Sequence, residues 1–297
     1  MNAVNVLAQA VVNGLLIGGV YALVAVGLNL MFGVMKLVNF AHGEFLMMGM
    51  YVAVALAGLA LPASFLGIYW VAVPAMLIMA VVGAVFYFLL LDRAAKFGES
   101  PQILLTIGLS IGGQGLAQVL RGSDFKLVPN PINGASLHLG SIYFQVGPAI
   151  SFIVAIGVTI VMAWILRSTR FGKSARAVAE SVETAEMLGI DARRVYMITT
   201  AIAISLVGLA GALVIPYHFT FPNVGQNFVV VAFLAIVIAG LGSVIGAVFG
   251  GLLLGVMQSL TAAYLDIDLS TAAIYVLFLA VLLLRPQGLF SRGQRTL

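Results

Sequence analysis

Long apolar stretches alternate with short polar gaps along the whole chain. Nine can be delimited, at 6–34, 44–61, 68–91, 102–120, 147–166, 195–216, 226–240, 243–263 and 270–285. A hydrocarbon layer of about 30 Å takes about 20 helical residues to cross, so the pattern predicts eight or nine spans. The seventh stretch is short and is read as a full span, a re-entrant segment or a broken helix. Irregular backbone is tolerated at membrane depth only where protein or a water-filled cavity covers it. The first stretch is far longer than a signal-peptide core and is read as an uncleaved span.

The polar gaps carry an orientation. In a nine-span arrangement Lys36, Arg93, Lys96, the group Arg167, Arg170, Lys173, Arg176, Arg193 and Arg194, and the tail Arg285, Arg292 and Arg295 fall on one side. Only Arg121 and Lys126 fall on the other, with the polar loop 121–146 and the acidic turn around Asp266 and Asp268. Basic loops stay cytoplasmic, which places the C-terminus inside and the N-terminus outside. One re-entrant segment would move the N-terminus inside.

Composition narrows the class. The chain is 62% hydrophobic and 8% charged, with a mean hydropathy of +1.15. A soluble domain carries about 25% charged residues, so no water-facing domain can be assembled here. The expected fold is all-α, a polytopic transmembrane helical bundle with broken or re-entrant segments. The net charge of +4 does not point to nucleic acid, because the basic residues sit at the ends of apolar segments. With no cysteine there is no disulfide, thiolate metal site or Cys nucleophile.

Two breaks stand out from the 33 glycines, most of which read as helix-packing residues, as in Gly14/Gly18, Gly108/Gly112, Gly246/Gly250 and Gly251/Gly255. One break is the run from Met35 to Glu44, which holds Lys36, Asn39, His42, Gly43 and Glu44. The other is the Gly-rich run containing Gly240, Gly242 and Ser243. Interrupted spans in corresponding positions of two halves point to a translocation pathway. With nine spans the two breaks face the same way; with one span re-entrant they become inverted. Asn39, His42 and Glu44 either satisfy backbone groups and cap the next helix, or contact solute directly. His42 and Glu44, two residues apart, point to different faces of a helix, and no further ligands accompany them, so no metal and no catalytic residue is expected.

The mid-span positions are expected to hold no Asp, Glu, Lys or Arg, which argues against an ion-coupled pump. Amides and hydroxyls are found instead, above all at Gln102, Thr106, Ser110, Gln114 and Gln118, a four-residue spacing that lays a polar strip along the fourth span. It reads as either a water-filled face or a set of interhelical hydrogen bonds.

The longest polar stretch, 167–194, contains Gly172, Lys173 and Ser174, but position 167 is Arg where a phosphate-binding loop needs Gly. Nucleotide hydrolysis by this chain is therefore not expected. Two short helices are predicted, near 173–180 and 182–188, with Ser181 as N-cap, Glu183 in the first turn and Gly189 at the C′ position. Val178, Val182, Ala185 and Leu188 form a narrow apolar strip. Such a hairpin docks into a partner's groove or rests on lipid headgroups; Glu180, Glu183, Glu186 and Asp191 weigh against an anionic surface.

The strings Gly19-Val20-Tyr21-Ala22-Leu23, Asn39-Phe40-Ala41-His42-Gly43-Glu44, Thr169-Arg170-Phe171-Gly172-Lys173, Gly240-Leu241-Gly242-Ser243 and Arg285-Pro286-Gln287-Gly288-Leu289-Phe290 resemble the shorter permease subunit of ATP-binding-cassette importers for branched-chain amino acids. The resemblance implies a single permease domain over 1–297 in the bacterial inner membrane. Its coupling loop would be 167–194 and its cytoplasmic tail 286–297. The implied partners are a second permease, two cytoplasmic ATPase subunits that bind ATP and Mg, and an extracytoplasmic solute-binding protein. Coupling to the ATPase then falls to Arg170, Gly172, Arg176, Ser181, Glu183, Thr184, Leu188 and Gly189. The pathway or its broken helices involve Asn39, His42, Gly43, Glu44, Gln114, Gly240, Gly242 and Ser243. Ser181-Val182 and Val244-Ile245 replace the Asp-Pro and Ile-Pro pairs common in such loops. Importers of this kind also handle urea, amides, and aromatic or short carboxylic acids. A stand-alone secondary carrier is the competing class, and an intramembrane enzyme a third.

Overall fold

The computed structural model describes residues 3–59, 67–132, 134–139, 142–240, 242–285 and 288–289. Each apolar stretch forms a helix. In chain order these are α1 (Ala3–Met35), α2 (His42–Gly58), a 3-10 turn (Gly67–Val71) leading into α3 (Ala72–Phe86), a π-helical turn (Tyr87–Leu91) and α4 (Asp92–Ala95). Then come α5 (Glu99–Arg121), the antiparallel strands β1 (Ser136–Leu139) and β2 (Ile142–Gln145), and α6 (Val146–Ser168). The chain continues through α7 (Arg170–Glu180), α8 (Val182–Met187), α9 (Ala192–Val214), α10 (Val224–Ala239), α11 (Val244–Tyr264) and α12 (Leu269–Leu284). Among the described residues, six helices are long and apolar enough to cross a membrane, and α2, α10 and α12 are shorter apolar helices. The polar loop 121–146 adds a small β-hairpin to an otherwise helical bundle.

The centre of the bundle is α1, almost wholly buried from Val20 to Met31. It lies antiparallel to α11, with Gly14 and Gly18 set against Gly255, Val256 and Leu252. A Cβ at Gly255 would stand 2.5 Å from the Gly18 Cα, so the two backbones touch with no side chain between them. That close approach is what small residues one turn apart provide in lipid, where burying apolar surface against a neighbour gains nothing over burying it in lipid tails. Gly250 and Gly246 carry the same helix over Ala235 and Ala239 of α10. Gly108 and Gly112 have no such neighbours within 4 Å, so α5 does not use them to pack within this chain.

Helix directions follow from paired contacts. The ends of α1, α4, α6, α10 and α12 and the starts of α5, α9 and α11 share one face, where Asn29 meets Gly242, Thr200 meets Met35, and Asp92 meets Arg193. The opposite face is marked by contacts of Gln9 with Tyr143, Tyr69 with Gly147, and Lys126 with Thr220. All basic side chains of the first group that are described belong to the first face; Arg121 and Lys126 belong to the second. Arg292 and Arg295 lie outside the described residues.

Candidate functional site

Between α1 and α2 the chain doubles back. Lys36 ends α1 in the left-handed region (φ 57), its N–H donating to the Phe32 carbonyl at 2.9 Å. Asn39 then reaches back to the Met31 sulfur at 3.7 Å, and His42 to the Val24 carbonyl at 3.3 Å. Residues 36–41 therefore run alongside the last turns of α1, and α2 begins partway along that helix. It is also parallel to α5: Glu44 meets Ser110, Gly113 and Gln114 near the α5 midpoint, and Arg121 at the α5 end lies over the Tyr51 ring at 6.0 Å. The start of α10 abuts the start of α2, Gly225 against Gly43, with backbone on backbone.

The polar residues of this break divide into two roles. Asn39 serves local backbone, its Oδ1 accepting from the Ala41 N–H at 3.0 Å. His42 is fully buried and faces Gly27 and Val24 of α1, with Nδ1 unpartnered. Glu44 faces the other way, towards α5. Its Oε1 accepts from Gln114 Nε2 at 2.7 Å and from Ser110 Oγ at 3.1 Å, while Oε2 is buried with no partner. The chain of polar groups extends from Gln114 Oε1 to Gln226 Nε2 of α10 at 3.2 Å. Glu44 is only 6% exposed, whereas Gln226 is exposed, so the network leads from the interior to the chain's surface. His42 and Glu44 thus serve different helices and do not form an acid–base pair.

This corrects the expectation that no carboxylate lies within the spans. The hydropathy pattern puts Glu44 at a span boundary, but the doubled-back segment carries it to the middle of α5. The predicted strip on α5 is used only in part: Ser110 and Gln114 bond Glu44, whereas Gln102 donates to the Gly98 carbonyl just before α5, Thr106 to the Ile103 carbonyl within it, and Gln118 is exposed.

The second break, 240–243, lies against α1 on the basic face. Gly240 (φ 96) and Gly242 (φ 90) take conformations that a side chain would strain. The Gly242 N–H donates to Asn29 Oδ1 at 2.8 Å, and Ser243 caps α11 by accepting from the Gly246 N–H at 3.1 Å. Both breaks open on the same face. Gly288, from the chain end, packs on Gly240, and the Leu289 N–H donates to the Ile238 carbonyl. The rest of the tail lies outside the described residues. Asn29 is a functional candidate absent from the sequence reading; an amide isolated inside a long apolar run was the available signal.

The polar stretch forms two helices. The first starts at Arg170 rather than near 173, because Thr169 accepts from the Gly172 N–H and caps it. Ser181 caps α8 by accepting from the Thr184 N–H at 3.2 Å, and Gly189 (φ 80) follows at its end. The apolar strip splits. Val178 and Ala185 are buried against this chain, but Val182, Met187 and Leu188 are exposed, Leu188 at 74% and Met187 at 86%. Arg170, Glu183, Thr184 and Gly189 are exposed with them. Gly172 and Arg176 instead hold the corner between α6 and α7, both against the Leu166 carbonyl. Straight after the hairpin, Arg193 makes a two-pronged ion pair with Asp92, at 2.9 and 2.7 Å, and lies over the Phe88 ring. Neither partner of this pair figures as a site in the sequence reading, since residues a hundred positions apart share no local pattern.

The family model for the permease component of branched-chain amino acid transport systems matches residues 10–284. The chain belongs to this permease family. It is 32% identical to the high-affinity branched-chain amino acid transport system permease protein LivH of Salmonella typhimurium, with 96% of each chain covered. It is 31% identical to the corresponding protein BraD of Pseudomonas aeruginosa, again over 96% of each. The probable branched-chain amino acid transport permease protein LivH of Methanocaldococcus jannaschii is 26% identical, over 90% of this chain and 87% of its own. No solved structure gives a significant match. Membership accounts for the transmembrane helices and makes the chain a membrane permease component of a branched-chain amino acid transport system.

Proposed function

We infer that this permease is one of the two membrane subunits of an ATP-driven importer for branched-chain amino acids in the bacterial inner membrane. ATP and Mg belong to two cytoplasmic ATPase subunits, and an extracytoplasmic binding protein delivers the solute. The observation that carries the reading is the hairpin of α7 and α8. It stands on the basic face, presents Val182, Met187 and Leu188 outward, and is fastened to the bundle by Val178, Ala185 and the Gly172 corner. An exposed apolar tip of this kind on a rigid base fits a groove on a partner. The basic face is cytoplasmic by the distribution of Lys and Arg, which puts the N-terminus outside and the C-terminus inside. ATPase movement reaches α9 directly and α4 through the Arg193–Asp92 pair, and α9, packed on α1 and α2, passes it to the helices bordering the first break.

The test is purification with native partners, followed by reconstitution with the binding protein and ATP. Leucine, isoleucine or valine should stimulate ATP hydrolysis and be taken up. Solute movement by this chain alone in liposomes without ATP would overturn the coupling. Stimulation only by urea, amides or carboxylic acids would overturn the substrate.

A further inference from the structure

We propose that Glu44 binds the ammonium group of the amino acid in transit, at the junction of α2, α5 and α10. The proposal rests on the reading above that the solute is an amino acid. Four observations carry it. First, Ser110 and Gln114 both donate to Oε1, leaving Oε2 buried without a partner. A carboxylate inside a membrane protein is costly and pairs with a cation or a donor, so a single satisfied oxygen leaves the group half-solvated. Second, no Lys or Arg supplies that cation: among the described residues the one ion pair is Asp92–Arg193, on the basic face. Third, the carboxylate lies where two helix starts meet beside the middle of a third, and the polar path through Gln114 to Gln226 joins it to the chain's surface. Fourth, the neighbour of the free oxygen is Gly113, where a Cβ would come within 4.0 Å of Oε2. With no side chain at Gly113, the α5 wall beside the buried oxygen is backbone alone.

A primary ammonium suits this arrangement. It has three donors; Oε2 takes one in a charge-assisted bond, and the Ser110 hydroxyl oxygen is at hand for another. An aliphatic side chain then finds apolar surroundings in the flanking spans. Glu44 acts as a binding residue of the pathway.

Two variants separate charge from shape. Glu44→Gln keeps the acceptor for Ser110 and Gln114 but replaces the free oxygen by an amide donor, while Gly113→Leu sets a bulky side chain beside Oε2 and leaves the carboxylate in place. In the reconstituted importer each should lower leucine uptake at least tenfold, with recovery and assembly of the subunits unchanged. Infrared difference spectra of the solubilised complex provide a second readout. 3-Methylbutylamine should shift a carboxylate band that Glu44→Gln lacks, and 4-methylpentanoate should not. Wild-type leucine uptake in Glu44→Gln, or an equal band shift with sodium chloride, would overturn the proposal. If the wild-type complex carries no branched-chain amino acid at all, the substrate reading fails, and the amine spectra still decide the role of Glu44.

Discussion

Met187 and Leu188 provide the sharpest test of the hairpin as the coupling element. They are 86% and 74% exposed on this chain, at the end of a six-residue helix in which Ala185 is buried and Val182 is exposed. Burying a full Leu or Met side chain is worth about 2 kcal/mol, so seating both exposed portions in an ATPase groove contributes roughly 3 kcal/mol. Ordering of side chains on both partners reduces that figure, and about 2 kcal/mol remains as the expected loss when both are made polar. The double substitution Met187→Gln and Leu188→Gln should therefore weaken ATPase binding on the order of 30-fold. The same change should leave the permease itself stable, since exposed substitutions stay within about 0.5 kcal/mol. The assay is titration of purified ATPase onto permease in nanodiscs, beside a thermal melt of the permease alone. Val178→Ser, which opens a buried contact instead, should lower the melting temperature. An unchanged ATPase affinity in the double variant would refute the docking of this tip, whatever its effect on uptake.

Other expectations concern the frame that holds the site. Gly251→Val drives a side chain into the α1 backbone at Ala22, which cannot yield as a side-chain tip would; destabilisation of at least about 3 kcal/mol and loss of monodisperse protein in size-exclusion chromatography are expected. Gly112→Val, with nothing within 4 Å, should leave the isolated chain folded, and normal recovery in the same experiment checks this. Asp92→Asn should cut uptake severalfold while moving the melting temperature by less than about 3 °C, because Arg193 is 59% exposed and such pairs contribute under about 1 kcal/mol; exchanging the two charges, Asp92→Arg with Arg193→Asp, should restore part of the uptake. Ser243→Ala removes the α11 cap and should cost about 1 kcal/mol in a chemical melt, whereas Ser243→Gly should cost only a few tenths.

Membrane insertion, the positions of the nine apolar helices, the side to which basic residues belong and the caps of the hairpin were all readable from the amino-acid order. Each depends on local quantities: the run length needed to cross lipid, the placement of charge, and the residues that can cap a helix or adopt positive φ. Gly189 and Ser181 could be assigned from their neighbours alone. The depth of Glu44 could not, because it depends on residues 36–41 turning back along α1, a tertiary arrangement that hydropathy does not encode. For the same reason the strip on α5 looked uniform, although only Ser110 and Gln114 lie opposite a partner from another helix. The split of the hairpin's apolar strip, with Val178 and Ala185 facing in and Leu188 facing out, was likewise decided by the bundle on which it rests. Sequence periodicity marks which side chains share a face; only the packing of distant helices determines what that face meets.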